Sequence, residues 1–393
     1  MKIIKKRSFL TNHYGLHDLQ SKNINHLKLH LNDEILTNGK NCEKFEKKIS
    51  KQVNSKYSIV CNNGTSALML AILSLLGNKK ICAIVPNINF VAVANIIKLL
   101  RGKIILCDVD KNTGMVDELS FLEILNECKK RNIKPNVFLP VHYAGDVLNL
   151  QNIYKICKKR NIFIIEDGCH SFGSSKIINK KKVTVGSCQF SDLTTFSFHP
   201  VKNITTIEGG AVTTNKKNIY KKLKILRSHS LKKTYNTDPY VLDPISSLNF
   251  RLGEINALIG IDQINKINKF KKKRNYIVKN YLIRFKDIKF IKFINKTNKD
   301  IFWHLLAVKL DRRYFSKKEN LMKYLKSKKI GCQIHYKPLS LHKSYKKITL
   351  ASKTKNSYLF YKSQLSLPLH TNLNLRDVDY IYKSFKKFEN IKV

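Results

Sequence analysis

The stretch KYSIVCNNGTSALMLAILSLLG, residues 56–77, decides the fold class. It opens as a near-continuous apolar run closed by two asparagines, the pattern of a strand covered on both faces. It closes as a helix-like run. Between the two, Gly64 permits close backbone approach, and Thr65 and Ser66 open the helix. Free N–H groups at such a start suit a phosphate, although an ordinary helix cap has the same composition.

The same alternation continues outward. KICAIVPN (80–87), GKIILCDVD (102–110), KPNVFLPVHY (134–143), NIFIIEDG (161–168), LTTFSFHP (193–200) and GGAVTTN (209–215) each read as strands bounded by Gly, Asn, Asp or Pro. Helix-like segments such as VAVANIIKLL (91–100) separate several of them. Strand–helix alternation predicts an α/β fold, a mostly parallel sheet flanked by helices. A long helical pattern, EINALIGIDQINKINKFKKKRNYIVKNYL (254–282), then leads away, with IFWHLLAVKL (301–310) as a further strand. The expected division is a large domain over residues 1–260 and a smaller C-terminal α+β domain over 261–393.

Composition excludes several classes. The 393 residues are 43% hydrophobic, which is globular. No apolar run approaches a membrane span of about 18 residues. The amino-terminal MKIIKKRSFLTNHYG lacks the apolar centre of a signal peptide, so the expected location is cytoplasmic with no membrane association. Nine scattered cysteines without a C-x-x-C pair fit buried reduced thiols rather than zinc or disulfides, and no metal is expected. Lys and Arg total 74 against 27 Asp and Glu, a net charge of +47. The lysines are spread along the chain with abundant Ile and Asn, a compositional bias rather than a patch. Aromatic residues do not interleave with them as a stacking platform would require, so no specific nucleic acid is expected.

Two further loops carry chemistry. In IIEDGCHSFG (164–173), Asp167 ends an apolar strand, so its carboxylate is partly desolvated and suits a protonated ring nitrogen; an Asp-Gly turn is the plainer alternative. In FSFHPVKNITTIEGG (196–210), Lys202 stands alone among apolar, hydroxyl and glycine residues. An amine held there loses hydration, its pKa falls, and it becomes a nucleophile. A phosphate-binding helix start, an Asp for a ring nitrogen and a depressed lysine together describe a pyridoxal 5′-phosphate site. Each alone is weak.

From LTNGKNCEKFE (36–46) to SLPLHTNLNL (366–375), through PVHYAGD, IEDGCHSFGS, FSFHPVKNITTIEGGAV, LRSHS, LNFRLGEINALIG and HYKP, the chain resembles the sugar aminotransferases of the DegT/DnrJ/EryC1/StrS family. The resemblance implies the PLP-dependent transferase fold type I. It makes Lys202 the lysine that joins the cofactor and then carries a proton, and Asp167 the partner of the pyridine nitrogen. Thr65, Ser66 and Ser197 would hold the phosphate, Phe90 would stack on the ring, and His170 would lie near its 3′ oxygen. Asn249 matches an asparagine that family dimers lend to the neighbouring subunit, which implies a homodimer with shared sites. Thr37, Asn38, Gly39, Gln333, His335 and Tyr336, with Tyr14, match segments that contact the nucleotide-sugar; ordinary packing is the alternative for His335 and Tyr336. LTNGK, NFRL, HYKP and SLPLHTNLNL most resemble the branch serving pseudaminic acid biosynthesis. That implies transfer of an amino group from L-glutamate to C4 of a UDP-linked 4-keto-6-deoxy-N-acetylhexosamine. The D-configured or a dTDP-linked 4-keto sugar is the alternative. Relatives that act as sugar 3-dehydratases carry histidine in place of the lysine, and Lys202 argues against that chemistry. Departures are the NNGTSAL form of the phosphate loop and Ser230 where the family has glycine after the histidine of LRSHS.

Overall fold

Each short apolar run forms a strand, and the strands join because each needs cover on both faces. The computed structural model describes residues 13–19, 35–234, 240–345, 349–351 and 354–390; the amino-terminal residues read for a targeting signal lie largely outside them. In chain order the strands are β1 (Tyr57–Cys61), β2 (Cys82–Pro86), β3 (Lys103–Cys107), β4 (Val137–Phe138), β5 (Phe163–Asp167), β6 (Ser175–Ile178), β7 (Lys181–Thr184), β8 (Leu193–Ser197), β9 (Gly210–Thr214), β10 (Leu231–Lys233), β11 (Tyr240–Leu242), β12 (Ile291–Phe293), β13 (Leu306–Leu310), β14 (Thr349–Ala351) and β15 (Gln364–Leu367). Eight of them form one sheet in the order β1-β9-β8-β5-β4-β2-β3-β14. Within it β9 alone runs antiparallel to its neighbours, β1 and β8. This is the mostly parallel, helix-flanked sheet of fold type I.

Helices cover both faces because their apolar residues have nowhere else to go. Gly64–Leu76 is buried almost all round, with Leu70, Ala71 and Ile72 inaccessible, so it lies directly on the sheet. Glu118–Lys130 buries Phe121, Ile124 and Leu125 on the other face and leaves its charges outside. The 254–282 pattern forms two helices, Glu254–Asn265 and Ile267–Arg284, separated at Lys266. The first packs so closely on the helix Lys40–Val53 that a Cβ at Gly260 would lie 2.3 Å from the Phe45 ring. The second buries Ile267, Phe270, Ile277, Val278 and Tyr281 toward a small antiparallel sheet, β12-β13-β15. Helices Lys318–Ser327 and Leu375–Glu389 complete this C-terminal α+β layer; the latter starts with a capping box between Asn374 and Asp377. The chain crosses back once more, and β14 pairs with β3 at the edge of the large sheet.

All nine cysteines are free, in keeping with reduced thiols. Among the described residues no helix is long and apolar enough to cross a membrane, and no cluster of His, Cys, Asp or Glu is arranged for a metal ion.

Candidate active site

In a parallel sheet the loops at the carboxyl ends of the strands gather on one side. Here the loops leaving β1, β2, β4, β5 and β8 surround a cavity of ≈ 450 Å³. The wall includes Thr65, Phe90, Asp167, His170, Ser197 and Lys202, with Tyr14, Gln333, His335 and Tyr336 closing it from segments distant in sequence.

The loop after β1 is held by Asn63, whose Oδ1 accepts the Ser66 N–H at 2.8 Å and caps the helix one residue before the expected start. Glycine is required around it for space. A Cβ at Gly64 would lie 2.7 Å from the Ser197 Cβ, and one at Gly210 would lie 2.4 Å from the Asn63 carbonyl oxygen. Backbone therefore lies close to backbone, and the helix presents its first-turn N–H groups at the end of the cavity. Ser66 is buried at 6% exposure and is not among the wall residues.

Lys202 and Asp167 both border the cavity. Burial pushes the Lys202 amine below the usual lysine range, while Cys169 and Asp167 draw it back up. Among the described residues no protein group hydrogen-bonds its Nζ. One Asp167 oxygen accepts the Cys169 N–H at 3.0 Å. Behind this wall Glu166 accepts hydrogen bonds from His142 Nε2 at 2.6 Å, from Thr194 at 3.1 Å and from Ser191. Burial raises the Glu166 carboxyl, but these donors outweigh it and hold the group below the usual range. The Leu148 N–H donates to His142 Nδ1 at 3.0 Å, which leaves Nε2 as the ring's donor toward Glu166.

The opposite wall is aromatic and neutral. His170 Nε2 pairs with the Tyr336 hydroxyl at 2.9 Å, while its Nδ1 is buried without a partner among the described residues. Burial, then Lys202 and His335, hold His170 well below the usual histidine range. His335 bonds Ser366 Oγ at 2.9 Å and is pushed down to about 3 by burial and by Lys202. The Tyr14 ring meets His335 edge-on at 5.1 Å, and Phe90, 55% exposed, tilts against Tyr336 at 5.8 Å.

Besides Ser66, four residues read as site groups lie off the wall. Thr37, Asn38, Gly39 and Asn249 do not border this chain's cavity. They share a ledge on the surface, where Thr37 bridges to Gly253, Asn38 Nδ2 donates to Ser228 Oγ at 3.3 Å, and Ser228 bridges to Asn249.

The family model for DegT/DnrJ/EryC1/StrS aminotransferases matches residues 17–386. The chain belongs to this family. It is 34% identical, over 96% of its length and 98% of the relative's, to the UDP-4-amino-4,6-dideoxy-N-acetyl-beta-L-altrosamine transaminase of Campylobacter jejuni subsp. jejuni serotype O:23/36 (strain 81-176). The Helicobacter pylori (strain ATCC 700392 / 26695) transaminase of the same name is 33% identical over 92% of this chain and 94% of its own. The fold overlays Helicobacter pylori PseC, an aminotransferase involved in the biosynthesis of pseudoaminic acid, with a TM-score of 0.86 over 95% of this chain and 98% of that one, at 29% identity. It overlays the PLP form of the sugar aminotransferase Spr1654 from Streptococcus pneumoniae at 0.83 over 95% and 97%, with 25% identity.

The protein is thus a PLP-dependent sugar aminotransferase, acting on a sugar substrate and an amino donor. Its cavity fits the cofactor on independent grounds. A helix start with room only for backbone suits a phosphate, and a carboxylate suits a ring nitrogen. An unpaired amine below its usual range suits an aldehyde. Sequence reading missed Asn89, Glu166 and His142. Asn89 borders the cavity with its Nδ2 unpartnered among the described residues, and its signal was an asparagine inside the apolar NINF turn. Glu166 and His142 sit in the quoted IIEDG and PVHY segments, but their pairing spans 24 residues and has no local signature.

Proposed function

We propose that the protein transfers the amino group of L-glutamate to C4 of UDP-2-acetamido-2,6-dideoxy-β-L-arabino-4-hexulose, a step of pseudaminic acid biosynthesis. The observation that carries this reading is Lys202, a buried unpaired amine beside Asp167 in a chain whose full-length relatives bear the altrosamine transaminase name. When bound, pyridoxal 5′-phosphate supplies an electrophilic carbonyl and an electron sink. Ser197 and Thr65 with the helix start would hold its phosphate, while Ser66, off the wall, packs behind them. Asp167 would keep the ring nitrogen protonated, because a carboxylate favours the cationic form. Phe90 would cover the ring, and His170, anchored by Tyr336, would serve its 3′ oxygen. Lys202 would hold the cofactor covalently. Its freed Nζ would carry the proton from the amine-bearing carbon of glutamate to the cofactor's carbonyl carbon, and in the second half-reaction from that carbon to C4 of the sugar.

A sugar diphosphate needs cationic or N–H donors away from the reacting carbon, and exposed Lys337, next in sequence to the wall residue Tyr336 but not itself on the wall, would supply one. Thr37, Asn38, Gly39 and Asn249 complete the cavity of a neighbouring copy in a homodimer. Support comes from their shared position on a ledge whose apolar side chains are left outside, with Leu36 at 50% and Leu248 at 56% exposure.

The test is kcat/KM with glutamate for the β-L-arabino and the D-configured UDP-4-keto sugars, with NMR assignment of the product. One misplaced ring substituent is worth roughly 1–3 kcal/mol, so a preference of about tenfold to a few hundredfold for the L-sugar is expected. Equal rates or preference for the D-sugar would reassign the substrate within the same chemistry.

A further inference from the structure

The ledge is built in an unusual way. Asn38 adopts a left-handed backbone, φ 55°, which turns the chain into the helix Lys40–Val53. That helix receives no capping side chain from its own N-cap, Gly39. The cap comes from far along the sequence. Glu254, only 2% exposed, accepts hydrogen bonds from the N–H groups of Gly39 at 2.8 Å, Asn41 at 2.7 Å and Cys42 at 3.1 Å. Its own N–H donates to the Leu36 carbonyl at 2.9 Å, and the Asn38 N–H donates to the Leu252 carbonyl at 3.2 Å. Glu254 therefore grips both sides of residues 37–39, with its carboxylate at the helix start and its backbone N–H at Leu36.

Gly39 has an ordinary negative φ, −91°, so its backbone does not call for glycine. Space does. A Cβ there would stand 3.1 Å from both Cδ and Oε2 of Glu254. The glycine and the carboxylate are complementary.

We propose that Glu254 is the positioning residue of the nucleotide-sugar ledge, fixing Thr37 and Asn38 in the conformation that receives the nucleotide half of the substrate. This rests on the reading that residues 37–39 serve sugar binding. A remote contact displaced by about 1 Å costs up to about a hundredfold, and glutamate carries no nucleotide, so the two substrates separate the effect.

The experiment compares E254Q, G39A and N38A as holoenzymes, each checked for assembly state by light scattering and for Tm. The rate of cofactor conversion by L-glutamate alone is measured beside KM for the UDP-4-keto sugar. In E254Q one oxygen becomes an amide NH2, which meets a backbone donor; G39A pushes on the same carboxylate. Both are expected to raise the sugar KM about tenfold while the glutamate rate stays within about twofold. A raised KM in N38A with an unchanged KM in E254Q and G39A overturns the positioning role and leaves the ledge standing. An unchanged KM in N38A removes the ledge reading and the proposal with it. Equal losses in both half-reactions, tracking a fall in Tm, also overturn it, since a merely structural cap behaves that way.

Discussion

The cavity wall and the ledge at residues 36–39 and 249–254 are both made of family-motif residues, yet they are built on opposite principles. The wall gathers side chains chiefly from the ends of sheet strands, and it encloses titratable groups: Asp167 is 8% exposed, His335 3%. The ledge is held by backbone hydrogen bonds and the buried Glu254 carboxylate, and it turns Leu36, Thr37, Leu248 and Asn249 outward. Enclosure lets a site tune proton affinities, as with Lys202 and His335. The ledge's outward side chains cannot do that. They can only present contacts to something else. The difference teaches that a motif's chemistry and its place of action are separate questions; on the proposed reading the ledge serves a neighbouring copy.

The largest effect that would separate the two regions is at Lys202. K202A removes both the covalent link and the proton carrier, and turnover should fall by about four orders of magnitude or more in steady-state assays, with cofactor still retained through the phosphate loop. Next is D167N, where a neutral amide no longer holds the ring nitrogen protonated; a loss of about a hundredfold to a thousandfold is expected, and near-normal activity would mean another group does so.

The ledge is probed by mixing. N249A alone should be impaired, and so is K202A alone. Randomly mixed copies would form heterodimers with one doubly damaged and one intact site, returning up to about a quarter of wild-type activity. No recovery, from copies shown to exchange, would place Asn249 in its own chain's chemistry.

A smaller effect concerns acid. His170, His304 and His335 are all held below their usual range by burial, His335 at about 3. Unfolded, they bind protons near pH 6.5, so the unfolded state takes up more protons between that value and the folded pKa. Stability is therefore full above about pH 6.5 and falls as pH drops toward 3, by up to about 1.4 kcal/mol per pH unit for each titrating group. Denaturant midpoints from pH 7 to 4 check this, and His335→Gln should flatten the slope. The smallest expected effect is on DNA: retention should vanish between about 50 and 200 mM salt without sequence preference, since the positive charge is spread rather than shaped.

How much could be read from the chain follows the same division. Strands such as FIIED and the chemistry of Asp167 and Lys202 are written locally, in apolar runs and their bounding residues. Where long-range contacts decide, the reading overran. KPNVFLPVHY is a regular strand only at Val137–Phe138; Pro140 has no N–H to donate, and past it a single bridge joins Val141 to Asp167. IFWHLLAVKL is a strand only from Leu306. Its earlier part is instead tied down by distant side chains: Asn203 donates to the Phe302 carbonyl, and Arg274 to those of Trp303 and His304. The Glu254 cap joins residues 215 positions apart at Gly39 and so has no sequence period to betray it.

The central claim is that one lysine among the many is the covalent anchor. Holoenzyme reduced with borohydride, digested and mapped by mass spectrometry is expected to carry the cofactor on the peptide containing Lys202, with the visible band of the attached cofactor lost on reduction. Attachment at any other lysine, or none, would contradict it.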